Sequence, residues 1–158
     1  LHTRIRPRRL VGSVGVYYRQ LRTNRFLGLV KDDSDPAPSD WNGHGTAAAG
    51  VAAATGNNSL YVSGAAWEAT LAGSTLIACW ASDSTEADAL SFENDNIDIY
   101  SNSWGPSDDG STFEGPGLLT LAAFEEDAYW GRGGLGNSIT WAAAPLSPIP
   151  ISEPKRLY

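Results

Sequence analysis

The sequence predicts an α/β domain, a mostly parallel sheet with helices packed on its faces. Three observations carry that expectation. Short β-branched or apolar runs alternate with helix-length stretches, and Gly- and Asn-rich breaks separate them. The 158 residues, 42% of them hydrophobic and six of them Trp, suffice for one core of ordinary size.

The elements follow in order. Residues 1–30 open with Arg4, Arg6, Arg8 and Arg9; the stretch from Val11 to Tyr18 then has the β-branched and aromatic content for one strand. Residues 31–43 are rich in Asp, Pro, Ser and Gly, and Pro36 and Pro38 exclude a helix, so a surface loop is expected. From Thr46 to Thr55 runs a series of Ala broken only by Gly50 and Val51, which predicts a closely packed, buried helix. Gly56-Asn57-Asn58 should end it, because Gly and Asn tolerate the left-handed conformation.

Farther on, the pattern predicts a strand over Ala69–Ile77 and a helix over Thr85–Phe92. A strand over Ile97–Ser103 should place Ile97, Ile99 and Ser101 on one face. Leu118–Tyr129 reads as a helix, Gly131–Gly136 as a glycine turn and Ser138–Ala144 as a further strand.

Charge divides the chain. Residues 1–31 hold seven Arg, one Lys and no acid, whereas residues 32–158 hold three basic and 18 acidic residues. The change of sign near Lys31 sets off an Arg-rich segment, 1–30, from a body, 31–144; a Pro-rich tail, 145–158, follows. The acidic body predicts cationic partners and argues against nucleic acid there, while the basic arm alone has the charge to meet phosphate or acidic lipid. Cys79 is the only cysteine, which rules out an internal disulfide and a Cys-based metal site. Asn57-Asn58-Ser59 fits the N-glycosylation pattern, a match that chance also supplies. No apolar run approaches eighteen residues and no signal-peptide pattern is present, so no membrane segment is expected.

His44 lies between Gly43 and Gly45 at the mouth of the Ala-rich helix. Flanking glycines let a substrate backbone approach, and a neutral imidazole can act as a base near pH 7. An ordinary turn histidine has the same setting, so the neighbouring motifs decide. Asp40-Trp41-Asn42-Gly43-His44-Gly45-Thr46 resembles the histidine motif of subtilisin-like serine proteases. The run from Ile97 through Ser103-Trp104-Gly105-Pro106-Ser107-Asp108-Asp109-Gly110 is similar to the substrate strand and loop of their kexin and furin branch. Gly131-Arg132-Gly133-Gly134-Leu135-Gly136 matches that branch too, and the resemblance spans roughly 31–144.

The resemblance implies a doubly wound, mostly parallel sheet of subtilisin type, incomplete at both ends and so with unpaired edges. It also implies a serine endopeptidase that processes proproteins in the secretory pathway, cutting after paired basic residues. His44 would be the catalytic base in a triad whose chain order is Asp, His, Ser. The family serine has no counterpart, since Ser147 and Ser152 lie among prolines without a glycine turn. Where the family has the oxyanion Asn, this chain reads Ala144-Pro145, and loss of one such donor costs about 2.7–4 kcal/mol. The family Asp should end an apolar strand about forty residues before the histidine, where residues 1–31 have no acid; Asp32 and Asp33 are the remaining candidates. This chain alone is therefore expected not to hydrolyse peptides, and a non-catalytic module that binds basic peptides is the alternative.

For the substrate, Ser103, Trp104 and Gly105 would offer backbone groups to an extended peptide, with Asp108 at the first pocket. Glu86 and Glu114 would meet an arginine farther upstream in the peptide, with Asp83 a third candidate. Each of these acids has the plainer reading of a solvated loop carboxylate. The loop after the histidine helix resembles the family's structural calcium loop, with oxygens from Thr55, Asn58, Leu60 and Val62. Its upstream aspartates are unmatched, so calcium is expected to bind weakly or not at all. Arg6-Pro7-Arg8-Arg9 resembles a site that such enzymes cleave.

Overall fold

The computed structural model describes residues 9–13, 23–27, 43–60, 62–74, 76, 81–105, 109, 112 and 115–142. Along the chain come β1 (Arg9–Ser13), β2 (Thr23–Leu27), α1 (His44–Ala53), β3 (Thr70–Ser74) and α2 (Asp83–Ser91). β4 (Ile99–Asn102), α3 (Leu118–Gly134) and β5 (Ser138–Trp141) complete the order. The strands form one sheet, β2-β3-β1-β4-β5, and every described pairing is parallel.

Leu71 and Ala72 are successive residues of β3, so they point to opposite faces, and both are buried. Leu71 packs with Ala49, Ala53 and Ala69, whereas Ala72 packs with Leu90, Ile97, Tyr100 and Ala123. Helix α1 therefore covers one face while α2 and α3 cover the other. The doubly wound α/β arrangement expected from the sequence is present.

Small side chains let α1 lie close to the sheet, and its end is closed by the returning chain rather than by a side chain. Gly64 donates to the Ala54 carbonyl at 2.8 Å, Ala65 to Val51 at 3.0 Å and Ala66 to Ala52 at 2.8 Å. These bonds satisfy carbonyls that a helix end leaves open. A Cβ at Gly64 would run into the backbone of Ala53 and Ala54, so only Gly permits this approach. Asn57 and Ser59 take the left-handed conformation in the turn between.

Helix α2 begins two residues before the expected Thr85, because Ser82 caps it by accepting the Thr85 N–H at 3.2 Å. In α3, helical geometry stops at Gly131, and Arg132 and Gly133 adopt φ of 56° and 66°, which realises the predicted glycine turn. That turn is bonded to the one before β4. Arg132 N–H donates to the Asn94 carbonyl at 2.9 Å, Gly133 N–H to Asp95 Oδ1 at 3.1 Å, and the Arg132 guanidinium pairs with Asp98 at 2.9 Å.

Three features depart from expectation. The first strand lies at Arg9–Ser13 and takes the centre of the sheet, and β2 is an additional strand on its far edge. β4 starts at Ile99, so Ile97 does not share its face with Ile99 and Ser101 but packs in one cluster with Tyr100, and the buried positions of the strand are Tyr100 and Asn102. Helix α3 buries Thr120 and Asp127 completely while leaving Leu118 82% and Trp130 72% exposed.

Neither carboxyl oxygen of Asp127 has a hydrogen bond of ordinary geometry. Burial pushes its pKa up to about 7, with Asn94 partly opposing the rise and the Glu126 charge adding to it. The folded chain thus holds this proton to higher pH than the unfolded chain does. Its contribution to stability is complete below about pH 4 and is lost as pH rises through about 7. In thermal melts across that window, the wild type should lose about 2 kcal/mol relative to Asp127→Asn, which mimics the protonated form. A constant difference between the two would show that Asp127 does not titrate there.

Candidate functional site

The connection from β3 to β4 passes over β1, so β3 and β4 leave the sheet on either side of a central strand. Open α/β sheets bind ligands outside the carboxyl ends of their strands at such a point. Because α1 returns the chain from the carboxyl end of β2 to the start of β3, its first residue, His44, lies at this edge. The ring is exposed, and Gly43 before it has open space where a Cβ would stand. The two strands upstream of His44 end on Ser13 and Leu27, and Ser13 pairs with Ser74 of β3, so neither ends on a carboxylate. Asp32, Asp33, Asp108, Glu114, Ser147 and Ser152 lie outside the described residues.

Beyond Asn102 the chain continues as Ser103-Trp104-Gly105 along one side of a cleft of about 410 Å3. Glu86 of α2, Thr120 and Phe124 of α3, Trp141 of β5, and Gly115 and Pro116 form its other walls. The Trp104 and Trp141 rings meet edge to face at 4.5 Å, and Phe124 stands at 80° to Trp141 at 5.9 Å. The Trp141 indole N–H donates to the Trp104 carbonyl at 2.6 Å. Gly105 is exposed and has nothing within 4 Å of its Cβ position. The structure thus brings Glu86, Trp104 and Gly105 into one cleft with Ser103 beside it, while His44 belongs to α1.

Asp83 has another task. Its carboxylate accepts the backbone N–H groups of Leu119 at 2.9 Å and Thr120 at 3.0 Å, and the Thr120 hydroxyl at 2.8 Å. Those amides open α3 and have no partner within the helix, so an acid is favoured there both as acceptor and against the helix dipole. The Leu119 and then the Thr120 N–H hold the Asp83 carboxyl below the ordinary value of 3.8. One turn along α2, Glu86 accepts a long 3.5 Å contact from the same hydroxyl. An acid that shares a cleft with two indoles is a setting in which a cationic side chain can gain both ion pairing and cation–π attraction.

The loop from Thr55 to Val62 offers mainly neutral oxygens, and Asn58 Oδ1 turns inward to accept the Leu60 N–H at 3.0 Å. Among the described residues no group of three or more His, Cys, Asp or Glu is placed to hold a metal ion. Calcium takes six to eight hard oxygens, and Thr55, Asn58, Leu60 and Val62 by themselves fall short of that set.

A family model described as the subtilase family matches residues 19–144. The chain belongs to the subtilase family. It is 50% identical over 114 residues to Endoprotease bli-4 of Caenorhabditis elegans, covering 70% of this chain and 12% of that protein. To Furin-like protease 1, isoform 1-CRR, of Drosophila melanogaster it is 46% identical over 115 residues, covering 70% of this chain and 10% of the other. To Proprotein convertase subtilisin/kexin type 4 of Mus musculus it is 44% identical over 115 residues, covering 70% and 18%. This subtilase chain therefore spans less than a fifth of the length of these curated relatives. Among solved structures, the Aeromonas sobria serine protease, in complex with the chaperone ORF2, superposes with a TM-score of 0.69 at 20% identity. That match covers 85% of this chain and 24% of the other, and it bears on the fold. Among the described residues no helix is long and apolar enough to cross a membrane.

The sequence pointed to Glu86, Trp104 and Gly105 but left out Thr120, Phe124 and Trp141, which only packing reveals. Asp83→Ala should leave the first amides of α3 unpartnered. Hydrogen exchange at Leu119 and Thr120 should then quicken about tenfold relative to wild type. Because the folded pKa of Asp83 is depressed, its stabilisation is present above pH 3.8 and fades as pH falls through the folded value, so the two melting curves should converge in acid. A gap that persists at pH 2 would count against the capping role.

Proposed function

We propose that this chain forms the peptide-reading part of a serine endopeptidase that processes proproteins in the secretory pathway by cutting after paired basic residues. The observation that carries this reading is the cleft that Glu86 lines together with Trp104 and Trp141, beside the half-buried Ser103 and the exposed Gly105. The names of the relatives, furin-like protease and proprotein convertase subtilisin/kexin, support the same reaction class.

In this reading an extended peptide lies along residues 103–105 and exchanges main-chain hydrogen bonds with Ser103 and Gly105, as strand addition requires. The Glu86 cleft accepts a basic side chain upstream of the cut, and Asp108 and Glu114 add further negative charge along the path. His44, exposed at the start of α1, would take the proton from the family's serine hydroxyl and return it to the leaving amine; neither Ser147 nor Ser152 matches that serine, so this chain alone is expected to read peptides without cutting them.

A second reading, a non-catalytic module that captures basic peptides, is favoured by one observation: the described strands β1 and β2 end on Ser13 and Leu27, not on a carboxylate. A fluorophosphonate probe separates the two. No labelling is expected of this chain alone; labelling that disappears in His44→Ala would overturn its inactivity and with it the module reading, and absence of labelling in a chain that still binds peptide supports the module.

Calorimetric titration with peptides carrying paired Arg, with and without a further Arg upstream, tests the cleft itself. Glu86→Gln should weaken the longer peptide about tenfold, or about 1.4 kcal/mol, and leave the shorter one unchanged. Equal affinities for both proteins would remove Glu86 from the site, and no binding to either would end the reading.

A further inference from the structure

After Asn102 the chain leaves the β4 ladder, yet its direction for the next three residues is fixed by two carbonyls. Asn102 accepts the Ala142 N–H at 2.8 Å, and Trp104 accepts the Trp141 indole N–H at 2.6 Å. In an extended chain the backbone groups of successive residues point alternately to the two sides. Asn102 and Trp104 thus present their carbonyls to β5. Where that alternation continues, the groups of Ser103 and Gly105 are directed to the opposite side, beyond the point where β1 ends at Ser13.

A second set of bonds closes on the first. The Trp104 indole N–H donates to Asn102 Oδ1 at 3.1 Å, and Asn102 Nδ2 donates to the Thr140 carbonyl at 3.3 Å. Asn102 is only 6% exposed, so both halves of its amide act inside the protein. Side chains of two strands thereby continue a ladder that the backbone has abandoned. The Trp104 carbonyl and the Gly105 N–H share one peptide plane, so holding the first toward β5 aims the second away from it.

We infer that Trp141 is a positioning residue for peptide binding: its indole N–H stands in for a β5 backbone donor and turns the Ser103 and Gly105 backbone groups outward. This rests on the strand-addition reading above. Phe at 141 keeps an aromatic ring in the cleft but leaves the Trp104 carbonyl without its donor, so the 104–105 peptide plane loses its fixed direction.

The test uses the full 158-residue chain as wild type and Trp141→Phe. The Gly105 amide resonance is read without peptide, and affinity is read for a long basic peptide and for one cut short of the residue that pairs with Gly105. The substitution should shift or broaden the Gly105 signal and weaken the long peptide about fivefold to tenfold, while the short peptide binds both proteins alike. An unchanged Gly105 signal with unchanged affinity overturns the inference, and so does an equal loss for both peptides, which indicates only general loosening. If the wild type binds no peptide, the proposed function fails, and the Gly105 signal alone decides the role of Trp141. Should Trp141→Phe not fold, 3-benzothienylalanine at 141 keeps the indole shape and replaces the N–H by sulfur, and the same outcomes apply.

Discussion

A parallel sheet must be covered on both faces, because its connections cross from one end to the other and each crossing lays a segment over the strands. In this chain the requirement falls on β3, where Leu71 needs α1 and Ala72 needs α2 and α3. The Ala-rich surface of α1 answers it with close approach, and α2 and α3 answer it as a pair. Everything at the carboxyl edge, from His44 on one side to the cleft on the other, stands where these three helices put it.

A single carboxylate adds to the apolar packing that pairs α2 with α3. Asp83, the first residue of α2 after its Ser82 cap, caps the start of α3, so the first turns of the two helices are held together. Glu86 and Thr120 follow within a turn of that contact and form one wall of the cleft. At the far end, the Arg132–Asp98 pair and the bonds from Arg132 and Gly133 to the turn before β4 hold α3 against the sheet. The cleft is thereby built on regular elements fixed at both ends, which suits a site that must present a fixed geometry to a flexible peptide.

Much of the fold was legible because alternation of apolar runs with helix-length segments reports local structure. The glycine turn at 131–136 was legible too, since Gly133, Gly134 and Gly136 adopt φ of 66°, 91° and 76°, which restrict the choice of residue. What escaped depends on distant partners. Strand β2, Thr23-Asn24-Arg25-Phe26-Leu27, has no apolar alternation and is extended because β3 offers it an edge. Asp83 reads as a loop acid until its partners, 36 and 37 residues away, are in place. Helix α3 misleads by composition, since its buried positions include Thr120 and Asp127 while Leu118 and Trp130 face outward. In the site, the motif identified Trp104 and Gly105, but no local pattern says that the last residue of β5 will bond to the Trp104 carbonyl.

The edge-to-face contact of Trp104 and Trp141 has an optical consequence. Two indoles 4.5 Å apart and inclined at 66° couple their electronic transitions, so the pair should contribute a circular dichroism couplet and a shared fluorescence response. Both chromophores line the cleft, and one of them belongs to the segment proposed to carry the peptide. The molecule thus has an intrinsic reporter at the place where binding is proposed, sensitive to changes in the angle between the two rings and requiring no added label.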